Sequence, residues 1–308
     1  MLDTLVRVLV FFAFIGLGAL LVKLKRLSAQ GLDGLSAYFY WLAFPCWLVV
    51  SFAKLPPFKP ALALPLLVYI AAMIVTAAIV ILTARLLKSR KDDSIAAGMA
   101  SFINNSAFLG IPVAISLFGP QVSQTGPLVV AADFLILFSI GCAGLAKASG
   151  QTIRTALTNT VRNPTVIGSL TGVACMLFGF HFPPAIENAL DILGKSGPPV
   201  ALVALGGMLA LMPSANLIRP DATSATAIAG KILLAPALVA IVLTLLRVDP
   251  LTFRVFVFLS ATPTAVSVFI QSKMYGLWFE GAAKSVAQST LISLFTLSAL
   301  ALILTHGA

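Results

Sequence analysis

Residues Ser101–Gly119 read SFINNSAFLGIPVAISLFG, a hydrophobic run interrupted near its middle by Asn104, Asn105 and Ser106, then by Gly110 and Pro112. A second run, Ser260–Gly276, reads SATPTAVSVFIQSKMYG and breaks around Thr262, Pro263 and Thr264. Inside lipid, a broken turn strands N–H and C=O groups. That is tolerated only where protein or a watery cavity satisfies them. A matched pair of interrupted spans in opposite halves of a chain points to the binding site of a transporter.

Composition agrees. The 308-residue chain is 59% hydrophobic and only 10% charged, against about 25% charged residues in soluble domains. This is the composition of a polytopic membrane protein. The net charge of +10 sits in short loops between apolar runs, where membrane topology places it, so nucleic acid is not the expected partner. Cys46, Cys142 and Cys175 lie in apolar runs without ligand-like spacing and read as small core hydrophobes. His181 and His306 stand alone near segment ends, so no metal cluster is expected. No phosphate loop, nucleophile elbow, zinc helix or dinucleotide fingerprint occurs. Neither a cofactor nor an enzyme's chemistry is expected. The first apolar run, Leu5–Val22, has its basic cluster after it rather than before it, and reads as a span instead of a signal peptide.

A span needs about 20 mostly apolar residues. Ten candidates follow: Leu5–Val22, Leu35–Phe52, Ala61–Leu87, Ile95–Phe118 and Pro127–Leu145, then Thr165–Phe180, Ile186–Leu211, Ala222–Leu245, Leu251–Met274 and Ala283–Thr305. The Pro56–Pro57 and Gly119–Pro120 pairs read as loops. Pro45 to Pro112 spans 67 positions and Pro199 to Pro263 spans 64, so each half shows a proline-broken second and fourth span. The expected organisation is residues 1–146 as one five-span repeat, 147–163 as a cytoplasmic connection and 164–308 as the second repeat. An odd number of spans per repeat makes the repeats inverted.

Lys and Arg fix the expected orientation. One side collects Lys23, Lys25, Arg26, Arg85, Lys88, Arg90, Lys91, Lys147, Arg154, Arg162, Arg219, Lys273 and Lys284. The other has Arg7, Lys54, Lys59, Lys195, Arg247 and Arg254. The richer side is cytoplasmic, and both termini then lie outside, in the cytoplasmic membrane.

In inverted repeats, fresh half-helices from Gly110 and from Thr264 enter from opposite faces, and their N-termini meet near the midplane. Two N-termini make an anion site without any basic side chain. Asn104, Asn105 and Ser106 on one break, and Thr262, Thr264 and Ser267 on the other, add amide and hydroxyl donors. Gly110, Pro112 and Pro263 shape the backbone there. The blander reading is capping and kinking alone; the pairing of the two breaks favours a binding site. Asp133 in VVAADFLILF and Lys231 in AIAGKILLAPAL are ionisable residues at membrane depth, which are costly there and point to function. Each is a candidate proton carrier, substrate counter-charge or half of a buried Asp–Lys pair. Gln271, Gln288 and Ser289 either line the same cavity or bond between helices. Gly168 and Gly172 have the spacing of close helix packing or dimerisation, and Lys195 reads as interfacial.

These motifs resemble the auxin efflux carrier family, which includes bacterial malonate and malate carriers and plant PIN-type auxin exporters. Asn105, Gly110, Ile111 and Pro112 fall on the family's fourth-span signature, and Pro263, Thr264, Ala265, Tyr275 and Gly276 on its ninth-span pattern. YWLAFPCWLV, RNPTVIGSLTGV, PPVALVALGGML and STLISLFTLS are further family-like stretches. The resemblance implies an all-α membrane fold of ten helices with crossed, broken fourth and ninth helices. It also implies a scaffold of spans one, two, six and seven, six mobile spans and a homodimer. Ala107 stands where the signature has Gly, and Ser267 where many bacterial members have Asn.

The expected function is secondary transport of small organic anions such as malonate, malate or auxin-like acids, by elevator-type alternation. H+ and Na+ are the candidate coupling ions. A cation/proton antiporter centred on Asp133 and an integral-membrane enzyme are the rival readings. The first lacks a second acid near Asp133, and the second lacks a catalytic cluster.

Overall fold

The computed structural model describes residues 2–55, 59–152, 154, 155, 158, 161–211 and 221–306, with all their side chains except those of residues 2–12, 108, 112, 294 and 306. Arg219 and the Pro56–Pro57 pair lie outside the described residues. Twelve helices organise the described chain: α1 (Leu2–Lys23), α2 (Ala29–Ala53), α3 (Pro60–Leu86), α4 (Lys91–Phe102), α5 (Ile111–Phe118), α6 (Gly126–Ala148), α7 (Pro164–Leu177), α8 (Pro184–Leu211), α9 (Ala222–Leu245), α10 (Pro250–Ser260), α11 (Val266–Met274) and α12 (Phe279–His306).

Local sequence sets several starts. Ser28 Oγ accepts from Gly31 N at the head of α2, and Asp249 accepts from Thr252 N ahead of Pro250 in α10. Asn163 does the same for α7, ahead of Pro164. A short polar acceptor followed by proline in the first turn satisfies one orphan amide and removes another. Among the described residues five helices are long and apolar enough to cross a membrane: α2, α3, α6, α8 and α9. A sixth is added if the bent α12 counts as one. Helices α7 and α10 are apolar but shorter.

One expectation changes, and the packing alternative of another is met. Pro45 and Pro199 were read as breaks, yet each lies inside a continuous helix, α2 and α8 respectively. A π turn over Phe39–Ala43 precedes Pro45, and such a widened turn gives a proline ring room without ending the helix. The Gly168/Gly172 pair packs within the chain. A Cβ at Gly168 would lie 2.7 Å from the Pro45 carbonyl oxygen, and one at Gly172 2.8 Å from that of Leu48. The two glycines therefore seat α7 on α2.

Packing sorts the helices into two groups. In one, α1 lies on α8, and α2 lies on α7 and α8. The approach of α1 to α8 is backbone to backbone: a Cβ on Gly206 would sit 1.9 Å from the Ile15 carbonyl oxygen. In the other, α3 and α4 pack with α9, α6 packs on α3, α4 and α10, and α9 packs with α10 and α12. Between the groups, Phe44 of α2 meets Phe134 of α6 edge-on at 5.1 Å, and Lys273 of α11 pairs with Asp33 of α2 at 2.8 Å. Asn163 Nδ2 also donates to Gln271 Oε1 at 3.4 Å across that boundary.

Candidate functional site

The two interrupted runs meet. α4 ends at Phe102 and α10 at Ser260; Ile103, directly after the first, and Ala265, directly before α11, are extended. Asn104 and Thr264 form an antiparallel bridge. Asn105 N donates to Pro263 O at 2.8 Å, and Ala265 N donates to Ile103 O at 3.1 Å. Thr264 is held twice more, by its N–H to Ser289 Oγ at 3.1 Å and its hydroxyl to Ala100 O at 2.8 Å. Each break thus supplies the polar groups that the other strands, which is what a buried break requires.

The first break falls ahead of Gly110 and Pro112, and the second falls where the sequence suggested, around Pro263. The first is centred on Ile103–Asn105, followed by a π turn over Ser106–Gly110, so Pro112 sits in the first turn of α5 rather than at the break. The helix runs unbroken from Ser106 through this proline, and the widened π turn before it lets a proline follow without ending the helix, as it does before Pro45. Pro263, in contrast, is inside the second break, before α11 starts at Val266. The two prolines are not equivalent.

Beneath the bridge lies a buried polar cluster. Asp133 and Lys231 are both fully buried, and each lies in a π turn, Asp133–Leu137 in α6 and Gly230–Leu234 in α9. They do not pair directly; Asn104 stands between them. Its Oδ1 accepts from Lys231 Nζ, and its Nδ2 donates to Tyr69 Oη and, at 3.3 Å, to Asp133 Oδ1. Tyr69 Oη donates to Asp133 Oδ1 and Ser106 Oγ to Asp133 Oδ2, both at 2.6 Å. Lys231 Nζ also donates to the carbonyl of Ser260 at 2.6 Å. Burying two charges is expensive unless their remaining bonding capacity is met. Asn104 meets it for both, and the end of α10, where carbonyls lack partners, favours a cation.

This arrangement divides the expected site residues. Asn104 and Ser106 are committed to the internal cluster, and the carboxylate at the start of the Ser106 turn is the chain's own Asp133. Thr262 Oγ1 turns back to Leu259 O at 2.7 Å. Gly110 is a spacer: a Cβ there would lie 2.7 Å from Leu259 Cδ2 and 2.9 Å from Thr262 Cγ2. Two side chains flanking the bridge remain. Asn105 is 5% exposed and its amide has no partner among the described contacts, and Ser267 Oγ is buried without one. Sequence reasoning missed Tyr69, whose signal was a phenol inside an otherwise apolar run; a buried hydroxyl of that kind needs a partner. A cavity of about 250 Å³ runs from Lys54 past Trp47 to Ala107, beside the first break. Another of about 540 Å³, near Tyr40, Arg162, Asn163 and Tyr275, opens where α6 and α11 end.

Residues 3–151 and 147–301 match the family described as membrane transport protein. The chain belongs to the auxin efflux carrier family of membrane transporters. A Rhizobium meliloti (strain 1021) protein with the provisional name of malonate transporter is 26% identical over 98% of this chain and 96% of its own length. An uncharacterized transporter of Methanocaldococcus jannaschii is 22% identical over 77% of each chain. Auxin efflux carrier component 3 of Arabidopsis thaliana is 30% identical, over 38% of this chain and 19% of its own. These names are of membrane transporters rather than enzymes. In this auxin efflux carrier family member, the quoted signature run is the segment that forms the first break and half of the bridge.

Proposed function

We propose that this transporter carries small organic anions, carboxylates in the first instance, across the cytoplasmic membrane, binding them beside the paired breaks. The observation that carries the reading is the buried, unpartnered hydroxyl of Ser267, which with Asn105, an amide in no described hydrogen bond, flanks the bridge at the heads of fresh helices. The carboxylate is held by the Asn105 amide, the Ser267 hydroxyl and the first amides of α11. A buried unpartnered hydroxyl costs free energy, and a ligand oxygen supplies the missing partner. The names of the malonate and auxin relatives support an anion with a carboxylate.

Ten spans in two inverted repeats, 1–146 and 164–308, crossing at the bridge, complete the proposed architecture. The two packing groups correspond to a scaffold of α1, α2, α7 and α8 and a moving body of the rest. The cavities towards Lys54 and towards Arg162 are the two access routes between which that body alternates, with both termini outside. A homodimer through the scaffold is part of the same reading.

The test is thermal stabilisation of the purified protein by a panel of mono- and dicarboxylates, since a ligand that binds the folded state raises its stability. It is followed by uptake of the hits into proteoliposomes. Hits whose stabilisation and uptake both vanish in Asn105→Ala support the site. A panel with hits that Asn105→Ala leaves intact places binding elsewhere.

A further inference from the structure

We propose that Lys231 is a resident cation in the place of a coupling ion, so that anion transport proceeds without bound sodium. The inference rests on the transport reading above. In transporters with broken spans, the C-terminal ends of half-helices and unwound carbonyls are what coordinate Na+. Here that oxygen set is complete and occupied by the chain itself. The Ser260 carbonyl ends α10, the Asn104 Oδ1 comes from the facing break, and both accept from Lys231 Nζ. The Asp133 carboxylate stands one residue further, across Asn104 Nδ2 at 3.3 Å.

A carbonyl, an amide oxygen and a nearby carboxylate are the hard ligands of a small cation. The backbone is shaped to bring the ammonium to them. Gly230, beside Lys231, faces Val80 and Ser101: a Cβ there would lie 2.3 Å from Val80 Cγ2 and 3.2 Å from Ser101 Cβ. The glycine lets α9 close on α3 and α4, and the π turn over Gly230–Leu234 turns the lysine inward, where it is fully buried. A tethered ammonium supplies the positive charge in every turnover and cannot be exchanged with the medium. The cluster then holds its charge between the breaks without taking an ion from either side.

Two measurements decide it. The first is the melting temperature of the purified protein in matched sodium, choline and propylammonium chloride, for wild type and Lys231→Ala. Removing Cγ to Nζ leaves a space of propylammonium's shape among the same oxygens. Wild type is expected to melt alike in all three salts, and Lys231→Ala to be stabilised by sodium or propylammonium relative to choline. A wild type selectively stabilised by sodium overturns the proposal, as does a folded Lys231→Ala indifferent to all three cations. The second is uptake of an anion hit into proteoliposomes. Wild-type rates are expected to agree in sodium and choline, whereas Lys231→Ala is expected to lose roughly tenfold or more in choline, matching the loss of hydrogen bonds to a charged group. Partial return with propylammonium, which crosses lipid as the neutral amine, supports the proposal. Wild-type uptake that depends on sodium overturns it even if no folded variant is obtained. A wild type that carries no anion in any salt removes the transport reading, while the melting comparison still decides the cation question.

Discussion

Asn104 and Asn105 are neighbours in the chain with opposite commitments. Asn104 joins Lys231 to Asp133 and Tyr69, while the amide of Asn105 has no described partner and only its backbone is engaged, its N–H donating to Pro263 O at 2.8 Å and its carbonyl accepting from Gly110 N at 3.0 Å. Substituting one is expected to damage the fold, and substituting the other is expected to damage binding.

For Asn105→Ala the expected outcome is normal yield and melting temperature with weakened anion binding. Losing one hydrogen bond to a carboxylate costs about 1.5–3 kcal/mol, or roughly tenfold or more in affinity. Titration of the purified variant checks it, and unchanged affinity in the folded variant removes Asn105 from the site.

For Asn104→Ala the loss falls on the unliganded protein. Lys231 and Asp133 each lose a bond while remaining buried, at about 3 kcal/mol or more for the two together. A large fall in melting temperature in detergent, with no ligand present, is expected. A variant as stable as wild type shows that the cluster tolerates an unfilled centre and that the two charges find other partners.

Much of this was legible in the sequence because breaking a buried helix leaves a visible mark. Polar residues and a proline inside an apolar run announced both breaks, and Asp133 and Lys231 stood out as charges among hydrophobes. What the sequence did not show was pairing. Nothing in the letters says that Asn104 lies between the two charges, or that Thr264 Oγ1 reaches Ala100 O at 2.8 Å, because such contacts depend on which helices pack. Proline also overstated interruption. Pro45 and Pro199 look like Pro263 in sequence, but the helix continues through the first two, after a π turn in the case of Pro45, whereas α10 stops before the last.

Gly110→Ala tests the spacing between the breaks. The added methyl group meets Leu259 Cδ2 at 2.7 Å and Thr262 Cγ2 at 2.9 Å, both inside a packed core. Overpacking of this kind costs about 1–3 kcal/mol. A lower melting temperature is expected, together with weaker anion binding as the second break is pushed aside. A melting temperature equal to wild type shows that α5 and α10 have slack at this point.

Asp221, at the head of α9, gives a pH signature outside the membrane spans. Burial raises its carboxyl, but the backbone and hydroxyl of Ser224, with Lys284 nearby, outweigh that and hold it below the usual value. A depressed carboxylate contributes stability above its unfolded value of about 3.9, and that contribution is lost as pH falls through the folded value. Asp221→Ala should lower stability at neutral pH by roughly 0.5 kcal/mol, the low end for a cap because the group is half exposed. The gap from wild type should close in acid below about pH 4. A gap that stays constant from neutral to acid pH assigns the effect to packing rather than to charge.

Pro263→Ala addresses the break itself. Pro263 has no N–H to offer, and its ring opposes continuation of α10 past Ser260 because it clashes with the carbonyl four residues back, that of Leu259. Alanine restores the N–H and lets α10 add a turn through Ala261–Thr264. A continued helix and the present bridge are exclusive, since Pro263 O now accepts from Asn105 N and Ala265 N donates to Ile103 O. The variant is therefore expected to withdraw the head of α11, with Ser267, from Asn105 and to weaken anion binding although no side-chain donor has been removed. Pro112→Ala, changing a first-turn residue of α5, is expected to have little effect on binding, so the two substitutions separate the roles of the two prolines. Affinity titrations of both variants, with far-ultraviolet circular dichroism to read added helix, give the comparison. A folded Pro263→Ala protein with wild-type affinity would mean that the second break does not shape the anion site, and the reading built on the paired breaks would fall.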